Sequence, residues 1–109
     1  MTYAVYTIPS LYQKIILKLP EKEREEIQRI VLQLTENPFV GDQLQIKSLR
    51  EKRLREKRLY YLVFEDLKAV LIVAISDKKT QQATINRILL DLAEYQRYVF
   101  ETLRKKGII

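Results

Sequence analysis

A dense cationic segment runs directly into an apolar one in the middle of this chain. Of the nine residues from Arg50 to Arg58, six are Lys or Arg and two are Glu, and the apolar run from Leu59 to Phe64 follows without a break. A charged segment joined in this way to a buried strand cannot move like a free tail, because the strand anchors its end. We therefore expect the cations to be held against the body of the domain and to face a fixed direction.

The composition limits the kinds of protein and of chemistry that are available. The chain has 109 residues, the usual size of one domain, so we expect a single domain over residues 1–109. A net charge of +6 and a pI of about 9.6 favour an acidic partner such as nucleic acid, a ribosome or an acidic protein segment. The absence of Cys excludes disulfides, and the absence of His removes the commonest general base and metal ligand. We therefore expect no metal and no other cofactor.

The sequence also predicts a cytoplasmic protein without a membrane partner. No window contains the roughly 18 uninterrupted apolar residues that a membrane-spanning helix requires. The N-terminal residues do not have the basic region followed by an apolar stretch that is typical of a signal peptide.

The N-terminal part of the chain predicts a strand followed by a helical hairpin. Residues 2–8 are rich in aromatic and β-branched side chains, as expected of a strand, and Ser10 is a candidate cap for the helix that follows. Apolar residues at helical spacing predict one helix over residues 11–19 and a second over residues 20–37. Residues 39–47 are then expected to form a loop.

The C-terminal part predicts three strands and a long helix. Residues 48–55 are expected to form a charged, exposed edge strand, whose cations would discourage pairing with other sheets, and residues 59–65 a second strand. After a turn at residues 66–68, the run over residues 69–75 is apolar without alternation, which predicts a central strand covered on both faces. A helix over residues 81–106 completes the chain.

These elements predict an α+β domain with the order β-α-α-β-β-β-α, in which a helical hairpin and a long C-terminal helix pack on a small, mainly antiparallel sheet. Ser76 or Asp77 is expected to cap the last helix and Gly107 to lie just past its end. The apolar residues of that helix recur at spacings of three and four, as in a heptad seam. Either the whole helix packs on its own sheet, or the sheet is too small to cover it and its distal half docks a partner, a second copy of the chain included.

Three short stretches carry a resemblance to a known family. They are the Tyr-Tyr-Leu-Val-Phe strand at residues 60–64, the basic Arg-Leu-Arg at residues 53–55 before it, and the stretch over residues 74–82 with its Lys-Lys-Thr-Gln. With the element order, they resemble the RelE/ParE superfamily of toxins from toxin–antitoxin pairs, in its RelE/HigB-like branch. The resemblance implies a RelE/ParE-like fold and a toxin that cleaves mRNA on the ribosome.

The resemblance also implies roles for individual residues. In the RNase members, basic residues of the sheet hold phosphates and stabilise the transition state. By position, Tyr61 falls where the RNases have an Arg, Lys79 where RelE-type enzymes have another Arg, and Ile85 about where some have a catalytic Tyr. Arg58 or Arg55 would then supply the missing cation. The residues expected to be catalytic are Arg55, Arg58, Tyr60, Tyr61 and Lys79, and those expected to bind nucleic acid are Arg50, Lys52, Arg53, Lys57 and Lys78.

The chemistry can also be considered without the family. RNA cleavage without a metal requires a base near the 2′-hydroxyl, cations around the phosphate and an acid for the leaving oxygen. Cations are plentiful, but without His the candidate bases are Glu51, Glu56, Lys79 or a Tyr with a lowered pKa. The cations around Glu51 and Glu56 keep a carboxylate ionised and weakly basic, so surface ion pairing is the simpler role for both. Because neighbours on a strand point to opposite faces, at most one of Tyr60 and Tyr61 faces a cleft.

Three functions stay open at this point. The leading one is a ribosome-dependent mRNA endonuclease, whose partners would be a cognate antitoxin, the ribosome and mRNA. The second is a ParE-like toxin that blocks DNA gyrase without chemistry of its own, which the missing His and the Tyr at position 61 favour. The third is a degenerate toxin that retains only antitoxin or nucleic-acid binding. We expect the antitoxin to contribute a segment that is disordered when free. Its acidic residues would meet the cations of residues 50–58, and its apolar helix face would fill a groove of the toxin.

Overall fold

A computed structural model describes residues 2–109 of the chain. Over that range it contains a five-stranded sheet and four α-helices, which confirms the predicted α+β class. The elements in chain order are β1 (Ala4–Thr7), α1 (Pro9–Lys14), α2 (Glu21–Glu36), β2 (Asp42–Gln43), β3 (Leu49–Leu54), β4 (Lys57–Phe64), β5 (Ala69–Asp77), α3 (Gln81–Leu90) and α4 (Leu92–Lys105). None of the helices in the described range has the length and apolar character needed to cross a membrane.

The sheet is mainly antiparallel, as predicted, and its strand order is β1-β5-β4-β3-β2. The one parallel pair in the described residues is β1 with β5, and the other three neighbouring pairs are antiparallel. Helices α1 and α2 cover one side of the sheet, which we call the α1–α2 face, and α3 and α4 cover the other, the α3–α4 face. Each face has its own apolar core, and burial of these two cores is the main force that stabilises the fold.

The apolar run after residue 68 forms the central strand β5. Its residues Ala69–Ile72 are completely buried, and the strand lies between β1 and β4 with helices on both faces, which confirms the prediction. Beyond Ile72 the register with β4 shifts, so that Tyr60 pairs with Ala74 and Tyr61 with Ile72. Val73 is thus the extra residue of a β-bulge, which increases the local twist.

The basic segment, residues 50–58, forms most of β3, a tight turn and the start of β4. The predicted edge strand was wrong in one respect, because the short strand β2 lies outside β3 and pairs with its Arg50 and Glu51. Leu54 at the far end of β3 is completely buried. The charged sequence did not predict this burial. Successive residues of a strand point to opposite faces, so a few buried residues are enough to anchor a strand that is otherwise charged.

The helices depart from the predicted limits at both ends of the chain. The predicted helix over residues 11–19 is a short α1 that starts at Pro9, followed by a single 3-10 turn at Ile16–Lys18. Ser10 lies inside α1 and the cap position belongs to Ile8, so the prediction that Ser10 caps the helix was wrong. Proline in the first turn explains the earlier start, since its fixed φ suits that position.

The predicted C-terminal helix is two helices that meet at Asp91. The helix is interrupted at Asp91, whose φ of −96° and ψ of 12° depart from helical values, and the Asp91 carboxylate accepts a hydrogen bond of 2.9 Å from Nε of Arg87. This break lets α4 lie on the sheet, where Val99 and Leu103 are buried. The expectation that the sheet is too small to cover the distal half of the helix was therefore wrong. Gly107, with a φ of 76°, follows the end of α4 as predicted.

Candidate functional site

The β3–β4 hairpin divides the cations of the basic segment between the two faces of the sheet. Residues directly opposite each other in an antiparallel pair point to the same face, and neighbours along a strand point to opposite faces. Arg53 is opposite Arg58, and Glu51 is opposite Tyr60, which belongs to the core of the α3–α4 face. Arg50, by contrast, is opposite Tyr61, which belongs to the core of the α1–α2 face. The sequence places these cations side by side, but the hairpin separates them.

The cations on the α1–α2 face have structural partners. The Arg50 guanidinium donates to the carbonyls of Gly41 (2.8 Å) and Phe39 (3.3 Å) and lies 4.9 Å from the centre of the Phe39 ring. Lys57 donates to the carboxylate of Glu23 on α2 at 2.9 Å, and Glu23 is itself buried. Lys52 lies on this face as well, opposite Leu59. The structure therefore does not bring these three predicted nucleic-acid contacts together with Arg58.

Tyr61 anchors a loop on the same face. Its side chain is completely buried, and its hydroxyl donates to the Pro38 carbonyl (2.8 Å) and accepts from the Gly41 N–H (3.0 Å). Burial raises the pKa of Tyr61, and the Gly41 N–H and then Arg50 oppose that shift. Tyr61, one of the predicted catalytic residues, thus holds the loop from Pro38 to Gly41 against the sheet, on the opposite side from Arg58.

A cluster of polar side chains lies at the end of the α3–α4 face where β4 begins and β5 ends. We call it the polar cluster, and its members are Glu51, Arg58, Tyr60, Ser76 and Gln81. Nε of Arg58 lies 3.9 Å from Oε1 of Glu51, and only 13% of each side chain is exposed. The other carboxylate oxygen, Oε2, accepts a 2.9 Å hydrogen bond from Gln81 in the first turn of α3. The hydrogen bond from Gln81 fixes this carboxylate, and Arg58 interacts with it as a mostly buried ion pair without a direct hydrogen bond.

The hydroxyl of Tyr60 is the hydrogen-bond donor in its pair with Ser76. The two oxygens are 2.8 Å apart, and the Ser76 hydroxyl donates its one proton to the Asp77 carbonyl at 3.0 Å. The proton between Tyr60 and Ser76 must therefore come from Tyr60. Burial raises the pKa of Tyr60, and the negative charge of Glu51 adds to this shift. Tyr60 is consequently neutral at physiological pH and can donate a proton or a hydrogen bond, but it is not a base there.

Four further cations surround the polar cluster from exposed positions. Arg53 lies on the same face, opposite Arg58, and Arg55 is in the turn between β3 and β4 with a φ of 55°. Lys78 and Lys79 follow β5 in the turn that leads to α3. Together with Arg58, these residues concentrate positive charge at one end of the molecule, where they could bind the phosphates of a polyanion.

The turn that carries Lys78 and Lys79 is fixed by Asp77. Its Oδ1 accepts hydrogen bonds from the backbone N–H and the hydroxyl of Thr80, both 2.9 Å, and these bonds lower the pKa of Asp77. Thr80 occupies the cap position of α3. Asp77 therefore supports the helix start from three residues away, whereas Ser76, the other predicted cap, is engaged by Tyr60.

Three members of the polar cluster, Glu51, Ser76 and Gln81, were not among the site residues predicted from the sequence. Glu51 was expected to form a surface ion pair, but its pair with Arg58 is mostly buried. Its position opposite Tyr60 follows from the hairpin register, which a two-residue turn at Arg55-Glu56 would have predicted. Nothing in the sequence signalled the contact of Gln81 with Glu51. In residues 2–109, no three carboxylates come together in a group that could hold a metal ion.

Comparison with known proteins identifies the fold. No protein-family model matches the chain, and no curated protein matches it significantly in sequence. Among solved structures, the free E. coli toxin RelE, in a form with two arginines replaced by alanine, matches with a TM-score of 0.65 and 18% identity, over 81% of this chain and 99% of that one. The archaeal RelE–RelB complex from Pyrococcus horikoshii OT3 gives 0.65 and 21%, over 72% and 97% of the two chains. The toxin–antitoxin complex RelBE2 from Mycobacterium tuberculosis gives 0.61 and 20%, over 72% and 100%. This chain has a RelE-type fold.

Proposed function

We propose that this chain, with its RelE-type fold, is the toxin of a toxin–antitoxin pair and acts as a ribosome-dependent mRNA endonuclease. The observation that carries the proposal is the position of Arg58. Tyr61 brings no cation to the position where the RNases of the resembled family have an Arg, and its side chain faces away from the polar cluster. Arg58 lies within the polar cluster, beside Glu51 and on the same face as Tyr60 and Arg53. It therefore supplies the oriented cation that phosphate chemistry needs.

The cations have two roles in this proposal: the exposed ones bind phosphates, and Arg58 stabilises the transition state. Arg53, Arg55, Lys78 and Lys79 are exposed and would hold the phosphates on either side of the scissile bond. Arg58, mostly buried and fixed, would stabilise the negative charge that develops on the phosphate as the 2′-oxygen attacks and the 5′-oxygen leaves. A preorganised cation is suited to that task because it does not have to reorient during the reaction.

The polar cluster contains one candidate acceptor for the 2′-hydroxyl proton. Tyr60 keeps its own proton at neutral pH, so its role would be that of a donor. Glu51 is the carboxylate of the cluster, and because Arg58 lies 3.9 Å from its Oε1 without a hydrogen bond to it, that oxygen would accept the proton while Arg58 keeps its position. Lys79, at the edge of the cluster, would contact the phosphate.

A second candidate function is a ParE-like toxin that binds DNA gyrase without catalysis. The polar cluster itself favours this function. Glu51, the candidate base, already contacts Arg58 and Gln81, and Tyr60, the candidate acid, is hydrogen-bonded to Ser76. A degenerate toxin that only binds antitoxin or nucleic acid is the third candidate. Expression in a bacterial host separates the three: the first arrests growth with loss of translation and cut mRNA, the second with DNA damage while translation continues, and the third does not arrest growth.

The proposed partner is an antitoxin, as in the RelE–RelB and RelBE complexes that share the fold. Its acidic residues would meet the exposed cations, and an apolar helix face would fill a groove of the toxin. Binding would then cover the surface that contacts RNA. If the antitoxin leaves an immobilised toxin in one wash at moderate salt, the apolar part of this proposal is wrong, since only the ionic part is screened by salt.

Two further expectations belong to the same proposal. A toxin that acts on ribosomes or gyrase works in the cytoplasm. Self-association through the C-terminal helices would use their outer side, where Leu90 and Phe100 are 80% and 50% exposed. Sedimentation of the purified chain at several concentrations tests that expectation.

A further inference from the structure

Strand β5 continues beyond its neighbour β1 at one edge of the sheet. β1 pairs with residues Ala69–Ile72 of β5, and the last bond of this edge runs from the Ile8 N–H to the Ile72 carbonyl at 3.1 Å. The chain then enters α1 at Pro9, whereas β5 extends to Asp77. Among the described residues, no strand lies against the outer side of residues 73–77. A strand edge of this kind presents backbone N–H and C=O groups to which a further strand can pair.

Two cavities flank this edge, one on each face of the sheet. The α1 cavity, of about 280 Å³, lies between β5 and α1, where Leu11, Lys14 and Ile15 line it. The α3 cavity, of about 430 Å³, lies between β5 and the C-terminal helices, where Ala83 and Ile88 contribute apolar walls and the paired Arg87 and Asp91 also line it. Both cavities share the same three residues of β5, Val73 to Ile75. The free backbone edge and the two cavities are therefore one continuous surface.

The geometry specifies the side chains that an added strand would carry. Successive residues of a strand point to opposite faces, so neighbouring side chains would enter the α1 cavity and the α3 cavity in turn. Because the three β5 residues that both cavities share are apolar, the centre of the added strand should be a run of apolar residues. Lys14 lines one cavity, and Lys78 and Lys79 follow the end of β5, so the flanks of the segment should be acidic.

We propose that the β5 edge at residues 73–77 binds an extended segment of a partner protein, apolar at its centre and acidic at its flanks, which adds to the sheet as a sixth strand. Main-chain hydrogen bonds to the edge would provide affinity, and the two cavities would provide specificity. This binding does not require nuclease activity, so it goes beyond the proposed function. The segment would lie beside Ser76, which belongs to both this edge and the polar cluster.

A synthetic peptide tests the proposal on the purified chain. The probe is acetyl-Glu-Glu-Val-Leu-Val-Glu-Glu-amide, titrated into the ¹⁵N-labelled protein up to about 1 mM, a concentration that detects weak binding. The amide resonances of residues 73–77 should shift, and hydrogen exchange at this edge should slow by about tenfold or more as new main-chain bonds form. Absence of shifts at this edge, or shifts confined to another part of the chain, overturns the proposal.

Two control peptides separate the parts of the proposed interaction. Proline in place of the central Leu removes a backbone N–H, and lysines in place of the four glutamates reverse the charge of the flanks. Each peptide should bind at least about tenfold more weakly than the probe. If the proline peptide binds as well as the probe, strand addition is wrong, and if the lysine peptide does, the acidic character of the partner is wrong.

A matched pair of protein variants locates the site. Ala83→Phe fills the α3 cavity from the exposed side of α3 and should abolish binding, while Ala93→Phe places the same ring on α4 outside that cavity and should leave binding unchanged. The amide spectra of both variants away from the substituted residue should match that of the unsubstituted chain, which establishes that they fold. Equal effects of the two substitutions would contradict the assignment.

Discussion

Arg58 and Glu51 face each other across the β3–β4 hairpin, with 3.9 Å between Nε and Oε1 and 13% of each side chain exposed. A mostly buried charge pair of this kind is sensitive to loss of one partner, because the remaining charge is left without compensation. It is also a means of preorganisation, since burial of most of the side chain limits the positions open to the guanidinium. The proposed function depends on this preorganisation, and a substitution at the neighbouring residue Lys57 separates it from the effect of losing a charge.

Arg58→Ala should reduce mRNA cleavage by about 10²–10³-fold, the usual cost of removing one preorganised charge-stabilising group. The matched control is Lys57→Ala, which removes a cation one residue away on the opposite face, where it pairs with Glu23. That variant should retain cleavage but lose about 1–3 kcal/mol of unfolding free energy, because the buried Glu23 loses its partner. Cleavage assays and urea unfolding of both variants provide the comparison. Equal losses of cleavage would mean that total charge, rather than the orientation of Arg58, matters.

Tyr60→Phe and Tyr61→Phe should have opposite consequences, since each removes one buried hydroxyl from a different face. Tyr61→Phe deprives the Gly41 N–H and the Pro38 carbonyl of their partner and should cost about 1–3 kcal/mol of stability with cleavage unchanged in the folded protein. Tyr60→Phe removes the donor to Ser76 within the polar cluster and should lower cleavage. The measurement is the cleavage rate per folded molecule of each variant. An unchanged rate for Tyr60→Phe would mean that the phenol has no part in the mechanism.

Gly41→Ala should be among the most destabilising single substitutions in the loop before β3. A Cβ at this position would lie 2.5 Å from the Glu51 carbonyl oxygen and 2.6 Å from the Tyr61 hydroxyl oxygen, so the loop or β3 has to move. We expect a loss of about 1–3 kcal/mol, the typical cost of overpacking. Gly107→Ala is the control, because a Cβ there meets no atom within 4 Å and adds only the strain of a φ of 76°, about 1–2 kcal/mol. A melting temperature of Gly41→Ala equal to that of the unsubstituted chain would contradict the close packing of the loop against β3.

The stability of the protein should fall at alkaline pH. Burial raises the pKa of Tyr60, Tyr61 and Tyr95 above the ordinary value of 10.0. For each of these acids the folded state holds the proton more tightly than the unfolded state, so the stabilisation is complete below about pH 10 and is lost as the pH rises through the folded-state values. Urea unfolding at a series of pH values, with phenolate absorbance recorded in parallel, measures this. A free energy of unfolding that stays constant above pH 10 would contradict the buried positions of these rings.

The sequence was most informative where a single physical constraint decides the structure. The unbroken apolar run at residues 69–75 can only be accommodated between two layers of helix, and it forms the central strand. The division of the cations was not predictable from composition, because it depends on the register of the hairpin: a shift of one residue would exchange the faces of Arg50 and Arg58. Long-range partners were the least accessible, since the contact of Gln81 with Glu51 joins residues 30 positions apart.

The break in the C-terminal helix has a similar explanation. Its apolar residues keep helical spacing on both sides of Asp91, so periodicity alone predicted one continuous helix. The structure has two helices instead, and each contributes to the same core: α3 buries Ile85 and Ile88, and α4 buries Val99 and Leu103. Tertiary packing thus overrode a valid local pattern.

The most direct test of the proposed function uses purified components. The chain is added to ribosomes programmed with a defined mRNA, and the 5′ ends of the products are mapped with and without ribosomes, for the unsubstituted chain and for Arg58→Ala. The account predicts cuts in ribosome-bound mRNA by the unsubstituted chain, few cuts in free mRNA, and cleavage by Arg58→Ala that is at least about 10²-fold slower. Intact mRNA on ribosomes with a chain that still arrests growth, or cleavage that Arg58→Ala leaves unchanged, would contradict it.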